Sequence, residues 1–218
     1  MWLFLIFALP LALAHAIASW YPATELESTN RTLLRGLVAA IPLWFLSRFI
    51  GSLAPSLPGS PLFAVHEWFD RFLPYSLLPL GAYAFFWRLD DMIEADRLQR
   101  RMTAFFGACL APIGFGEMTR NELSPSLYSI VLLPIILIAI VAIMPAVFRA
   151  WTGAWTSRRV LIAAGFVGTG LIVSLVRWLL LARFWYLSVL IVAATAMAAW
   201  IWALPGLFQR PTRKMPLT

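Results

Sequence analysis

An all-α, polytopic transmembrane helix bundle of about seven spans is the fold class this sequence predicts, and three observations carry it. Residues 1–24, 123–148 and 184–209 contain no Asp, Glu, Lys or Arg. The chain is 61% hydrophobic and 12% charged, where a soluble domain is about a quarter charged. The apolar runs are continuous rather than alternating, which argues against a membrane barrel. A soluble core of 218 residues could not hide that much apolar surface, but lipid can. In hydrocarbon each backbone polar group must be paired inside its own element, so helices of roughly 20 apolar residues are the expected solution.

The elements follow from the apolar runs. The first span is Met1–Trp20. Its Ala12-Leu-Ala-His-Ala16 end resembles a signal-peptidase site, but a basic leading segment is missing, so a retained span is expected. The second runs from about Leu33 to Leu53, with Arg35 and Arg48 near its ends. A connection containing Pro55, Pro58 and Pro61 leads to the third, about Leu73–Trp87. The charged segment Arg88–Arg101 precedes a short fourth span near Met102–Gly116. The fifth is Ser126–Phe148, the sixth about Val160–Leu181 and the seventh about Phe184–Leu204. Six spans is the alternative count, with the fourth segment re-entrant. Residues 1–208 form one membrane domain, and 209–218 a short basic cytoplasmic tail.

Between the sixth and seventh spans no Gly or Pro marks a turn. Unbroken, a helix from Val160 to Ala203 would be twice the bilayer thickness at about 1.5 Å per residue. A break is therefore expected near Arg177–Tyr186, held at the headgroups by two arginines and by Trp178, Trp185 and Tyr186.

The formal charge is +7, from sixteen Arg and Lys214. These residues sit in short segments between apolar runs, so orientation, not nucleic-acid binding, accounts for them. With the N-terminus outside and the C-terminus in the cytoplasm, twelve bases fall inside and five outside. The five are Arg48, Arg71, Arg120, Arg177 and Arg183. This is the direction the positive-inside rule requires and points to a bacterial inner (plasma) membrane.

Prolines recur inside the spans, at Pro42, Pro74, Pro79, Pro112, Pro134 and Pro145. Fixed bends are the expected role, with Pro112, amid Gly107, Gly114 and Gly116, the best position for a cavity. Gly165, Gly168 and Gly170, with Ala194 and Ala198, are expected to give close helix contacts. The single cysteine, Cys109, excludes an internal disulfide and a multi-cysteine metal site, and packing is its expected role.

Two polar constellations are the candidate sites. Before the third span, His66 and Asp70 fall four apart, as do Glu67 and Arg71, opposite Val65, Trp68, Phe69 and Phe72. This reads first as an amphipathic interfacial helix. His66, Glu67, Asp70, Glu117 and Arg120 are the catalytic candidates on that side. Arg71, Arg120, Arg177 and Arg183 are the candidates for an anionic ligand or lipid headgroup, because guanidinium binds phosphate and carboxylate bidentately. On the cytoplasmic side, Asp90, Asp91 and Glu94 could hold Mg²⁺ against a diphosphate. A second acidic motif is lacking, so a salt-bridged surface helix is the simpler reading.

No Gly-rich phosphate loop, Gly-x-Ser-x-Gly or His-Glu-x-x-His motif occurs. No cofactor is called for. The expected function is that of a small transporter or of the membrane-embedded subunit of a larger complex, with other membrane subunits or further copies of the chain as partners. The alternative is an intramembrane enzyme acting on a lipid-linked or prenyl substrate.

Overall fold

A computed structural model describes residues 2–19, 23–53, 66, 68–69, 73–89, 95–121, 126–153, 168, 170–180 and 182–203. Seven α-helices organise them, and no strand occurs among the described residues. They are α1 (Trp2–Ser19), α2 (Ala23–Leu53), α3 (Leu78–Leu89), α4 (Ala95–Asn121), α5 (Leu133–Gly153), α6 (Gly170–Leu180) and α7 (Trp185–Ala198). Wider π-turns lead into α3 (Leu73–Leu77), lead into α5 (Tyr128–Leu132) and follow α7 (Ala199–Ala203).

The centre of the bundle is α4. The sequence suggests a short fourth span here, set apart from a charged surface helix. Instead one 27-residue helix begins at Ala95 and carries the end of the charged segment with it. From Gln99 to Gly114 every residue except Arg101 and Pro112 is buried. A helix enclosed on all sides must be apolar on all sides. Met102, Phe105, Phe106, Leu110 and Ile113 meet that demand, and all are fully buried. The neighbours that enclose α4 are α1, α2 and α5.

Two glycines allow the closest approaches. A Cβ on Gly36 of α2 would lie 2.6 Å from the carbonyl oxygen of Phe105. A Cβ on Gly107 would lie 2.6 Å from both the Ala14 Cβ and the Pro10 carbonyl oxygen of α1. Farther along, Gly116 sits against Trp44. Gly36 thus meets Phe105 and Ala108, and Trp44 meets Gly116, so α2 and α4 run parallel.

Pro74 lies within the first π-turn, and the other prolines of the helical segments fall into two groups. Pro10, Pro42, Pro112 and Pro145 lie inside continuous helices. Pro79, Pro134 and Pro205 each stand two residues after a π-turn. A proline has no N–H for the carbonyl four residues back, and its ring crowds that carbonyl. Widening the preceding turn turns the ladder aside, as when the Leu133 N–H bonds to the Tyr128 carbonyl just before Pro134. Ahead of that turn, the Ser126 N–H donates to Ser129 Oγ at 2.9 Å and the Ser129 N–H to Ser126 Oγ at 3.1 Å. This reciprocal pair satisfies donors that a helix start leaves open.

The break expected near Arg177–Tyr186 falls there, between α6 and α7. The Phe184 N–H bonds to the Leu179 carbonyl at 2.8 Å and the Arg183 N–H to the Leu180 carbonyl at 3.0 Å. These are the two bonds of a Schellman cap. Its left-handed position, usually glycine, is Arg183, at φ 64°. The returning helix is tied back by Ser188, whose buried hydroxyl donates to the Val176 carbonyl at 3.1 Å.

The inward face of α7 is Ser188, Val192 and Thr195, continued by Ala199. Ala199 packs with Ala139 and Ala142 of α5. Ala194 and Ala198, expected at close contacts, face outward. A Cβ on Gly168 would meet nothing among the described residues, Gly170 is buried, and Gly165 lies outside the described residues. Close small-residue contacts are also made by Gly36, Gly107 and the Ala139–Ala142–Ala199 group.

Two helices are long and apolar enough to cross a membrane, Asn30–Ile50 within α2 and Tyr128–Phe148 through α5. Three further apolar helices are shorter, Leu73–Phe86, Gly170–Leu180 and Trp185–Ile201. The all-helical class expected from the sequence is therefore what the chain adopts, with two helices of spanning length and composition among the described residues. The two differ in setting. Residues of Tyr128–Phe148 are 72% buried in the bundle, against 17% for Asn30–Ile50.

Candidate functional site

The best-defined polar feature is the turn between α6 and α7. Arg177 stands on the last turns of α6, half-buried, and Arg183 is exposed at the cap itself. The Arg177 Nη1 is shielded from solvent and has no hydrogen-bond partner among the described residues. Aromatic residues flank the pair along the chain. Trp178, Phe184, Trp185 and Tyr186 are all exposed. The Tyr186 ring meets Phe184 at 6.2 Å and 88°, and Trp185 at 6.2 Å and 84°. These edge-to-face contacts are favourable geometry for aromatic pairs. No acid occurs in the sequence after Glu122, so neither guanidinium has a counter-ion close to it along the chain.

The structure places the other candidates unevenly. His66 is half-buried beside Trp68 and Phe69, whose rings lie 6.4 Å apart, and its Nδ1 is shielded without a hydrogen-bond partner among the described residues. Glu67, Asp70 and Arg71 lie outside the described residues, as do Asp90, Asp91 and Glu94. Glu117 and Arg120 belong to the last turns of α4, and only their backbone is described. Between them Met118 is fully buried, and the Thr119 hydroxyl donates to the Gly116 carbonyl at 3.0 Å. Among the described residues no three His, Cys, Asp or Glu side chains are grouped to hold a metal ion.

Compared with known proteins, the chain matches no protein family, no characterised protein and no solved structure.

A second polar group emerges only in three dimensions. Gln99, Arg100 and Thr103 are buried on α4, with the Thr103 hydroxyl donating to the Gln99 carbonyl at 2.8 Å. Because α2 and α4 are parallel, Arg31 and Arg35 belong to the same end of the bundle as Arg100 and Arg101. The Arg35 guanidinium lies 5.7 Å from the centroid of the Phe86 ring, within cation–π range. Phe86 in turn meets Phe105 at 6.0 Å, and Tyr83 meets Phe105 at 5.4 Å. The sequence signal for this group was the run of four bases and four acids at Arg88–Arg101, read there as a surface helix. Its burial could not be seen without knowing which helices enclose α4.

Proposed function

We propose that this chain is a polytopic integral protein of a bacterial inner membrane, N-terminus outside, serving as a small transporter or as the membrane-embedded subunit of a larger complex. One observation carries the membrane placement. Leu34, Val38, Ile41, Phe45 and Phe49 form a single stripe along α2, and each is 61–65% exposed. Removing such side chains from water is worth about 1.5–3 kcal/mol each when complete, so for this stripe on the order of 5–10 kcal/mol. That is comparable to the whole net stability of a domain. Leu171, Leu175 and Trp178 on α6, with Leu190, Met197, Trp200 and Ile201 around α7, extend the apolar surface. The small polar side chains in the bundle are satisfied close to home, as Ser47, Thr103 and Thr195 are by carbonyls of their own helices, in keeping with a low-dielectric surround.

The three π-turns before prolines support the transport reading, since interrupted helices line transporter pathways. The outward apolar surface equally suits further subunits or copies of the chain. No observation among the described residues favours an intramembrane enzyme over these roles.

The test is extraction followed by identification. The chain is expected to stay with membranes through an alkaline wash and to require detergent for release. Recovery in the aqueous phase without surfactant would sink the membrane placement. Mass spectrometry of the mildly solubilised protein then separates the two roles. A stoichiometric protein partner supports the subunit, while a homogeneous preparation that moves solute across a reconstituted bilayer supports the transporter.

A further inference from the structure

We infer that the turn between α6 and α7 is a binding site for a phosphate-bearing anion, with Arg177 and Arg183 as the two recognising groups and the headgroup of an anionic phospholipid as its source. This rests on the membrane placement proposed above and adds a ligand class to it.

Four observations converge. First, the Arg177 Nη1 is out of contact with solvent and has no hydrogen-bond partner among the described residues. A shielded guanidinium nitrogen without a partner is costly, and because Arg177 is only half-buried, turning its guanidinium outward to a phosphate oxygen replaces that cost with a charge-assisted bond. Second, Arg183 occupies the left-handed cap position, φ 64°, where glycine is the lower-energy residue. The cap geometry thus holds a second guanidinium exposed at the turn, six residues from the first. Third, the sequence carries no acid beyond Glu122, so no acid close along the chain competes for either charge. Fourth, Trp178, Trp185 and Tyr186 are 54–61% exposed around the turn. Indole and phenol rings favour the depth at which lipid phosphates lie. The turn itself is rigidly based, because the Ser188 hydroxyl bonds α7 to the Val176 carbonyl one residue before Arg177. A planar fork held on such a base suits bidentate phosphate recognition better than a loose cationic surface.

The experiment compares thermal unfolding of the detergent-purified full chain after reconstitution into vesicles of phosphatidylcholine alone and of phosphatidylcholine with phosphatidylglycerol in equal parts. Native mass spectrometry of retained lipid gives the second readout. For the wild type, phosphatidylglycerol is expected to raise the unfolding midpoint and to be retained about tenfold more strongly than phosphatidylcholine, the ratio that one charge-assisted contact supports. The double variant R177Q/R183Q is expected to lose both effects. R177K/R183K, which keeps the charge and loses the fork, is expected to retain the lipid more weakly than the wild type. It also serves as a folded control should the glutamine variant fail to fold. Inorganic phosphate added to the phosphatidylcholine vesicles separates the sources. No shift with phosphate supports a lipid headgroup, and a shift equal to that of phosphatidylglycerol overturns the lipid assignment in favour of a soluble anion. Equal retention of the two lipids by the wild type, or undiminished phosphatidylglycerol retention by both variants, overturns the site. A chain that inserts into vesicles without lipid preference defeats this inference alone, whereas one that fails to insert defeats the membrane placement.

Discussion

Arg183 shows how one residue can run against local preference. A side chain in the left-handed region costs about 1 kcal/mol or more relative to glycine. R183G is therefore expected to raise the thermal midpoint of the purified protein in plain detergent, by the equivalent of about 1 kcal/mol. A lower midpoint would mean that the guanidinium already contributes more to stability than its backbone costs. Cys109 gives a second expectation at this scale. It is wholly buried in α4, so the packing role read from its apolar surroundings agrees with its place in the core. A membrane-permeant maleimide should leave it unmodified in the folded protein and label it fully after denaturation. Rapid labelling of the native protein would show that α4 opens or that its enclosure is incomplete.

At the scale of elements, close helix packing depends on a few positions that composition does not single out. Gly36 and Gly107 admit α4 between α2 and α1, while a Cβ on Gly168 would touch nothing among the described residues. Substitution by alanine at Gly36 or Gly107 forces a Cβ against backbone, and overpacking of this kind typically costs about 1–3 kcal/mol. G36A and G107A are each expected to lower the thermal midpoint, and G168A to leave it unchanged. Equal tolerance of all three by light-scattering melts would show that α4 is not held between α1 and α2 as described. The element boundaries were only partly legible in the sequence. The break near Arg177–Tyr186 could be read from length alone, because an unbroken apolar helix from Val160 to Ala203 would be about twice the thickness of a bilayer. That the break is a Schellman cap using arginine could not, since the sequence offers no glycine to announce it. The π-turns were also hidden. Their signal, a proline two residues beyond each, is plain only once the turns are seen.

For the whole molecule, the sequence and structure meet in the parallel relation of α2 and α4. Parallel second and fourth helices place Arg31, Arg35, Arg100 and Arg101 together at one end, the set the charge bias assigns to the cytoplasm. Single cysteines introduced at Arg31 and Arg183 in a background lacking Cys109 are expected to react with an impermeant thiol reagent from opposite sides of the membrane. Labelling of both from one side would contradict the alternating arrangement. The candidate sites were legible to different degrees. Arg177 and Arg183 stand out in the sequence because aromatic residues and bases alternate beside a required break. Gln99, Arg100 and Thr103 were missed because a buried arginine looks like a surface one until its neighbours are known.

Composition alone pointed to an all-helical chain rich in apolar residues, because in hydrocarbon charge-free runs of that length satisfy their backbone as helices. Tertiary structure alone decided which helix is central, which glycines let it in and which guanidinium nitrogens are shielded from solvent. Those outcomes depend on contacts between residues far apart in the chain, which no local pattern encodes.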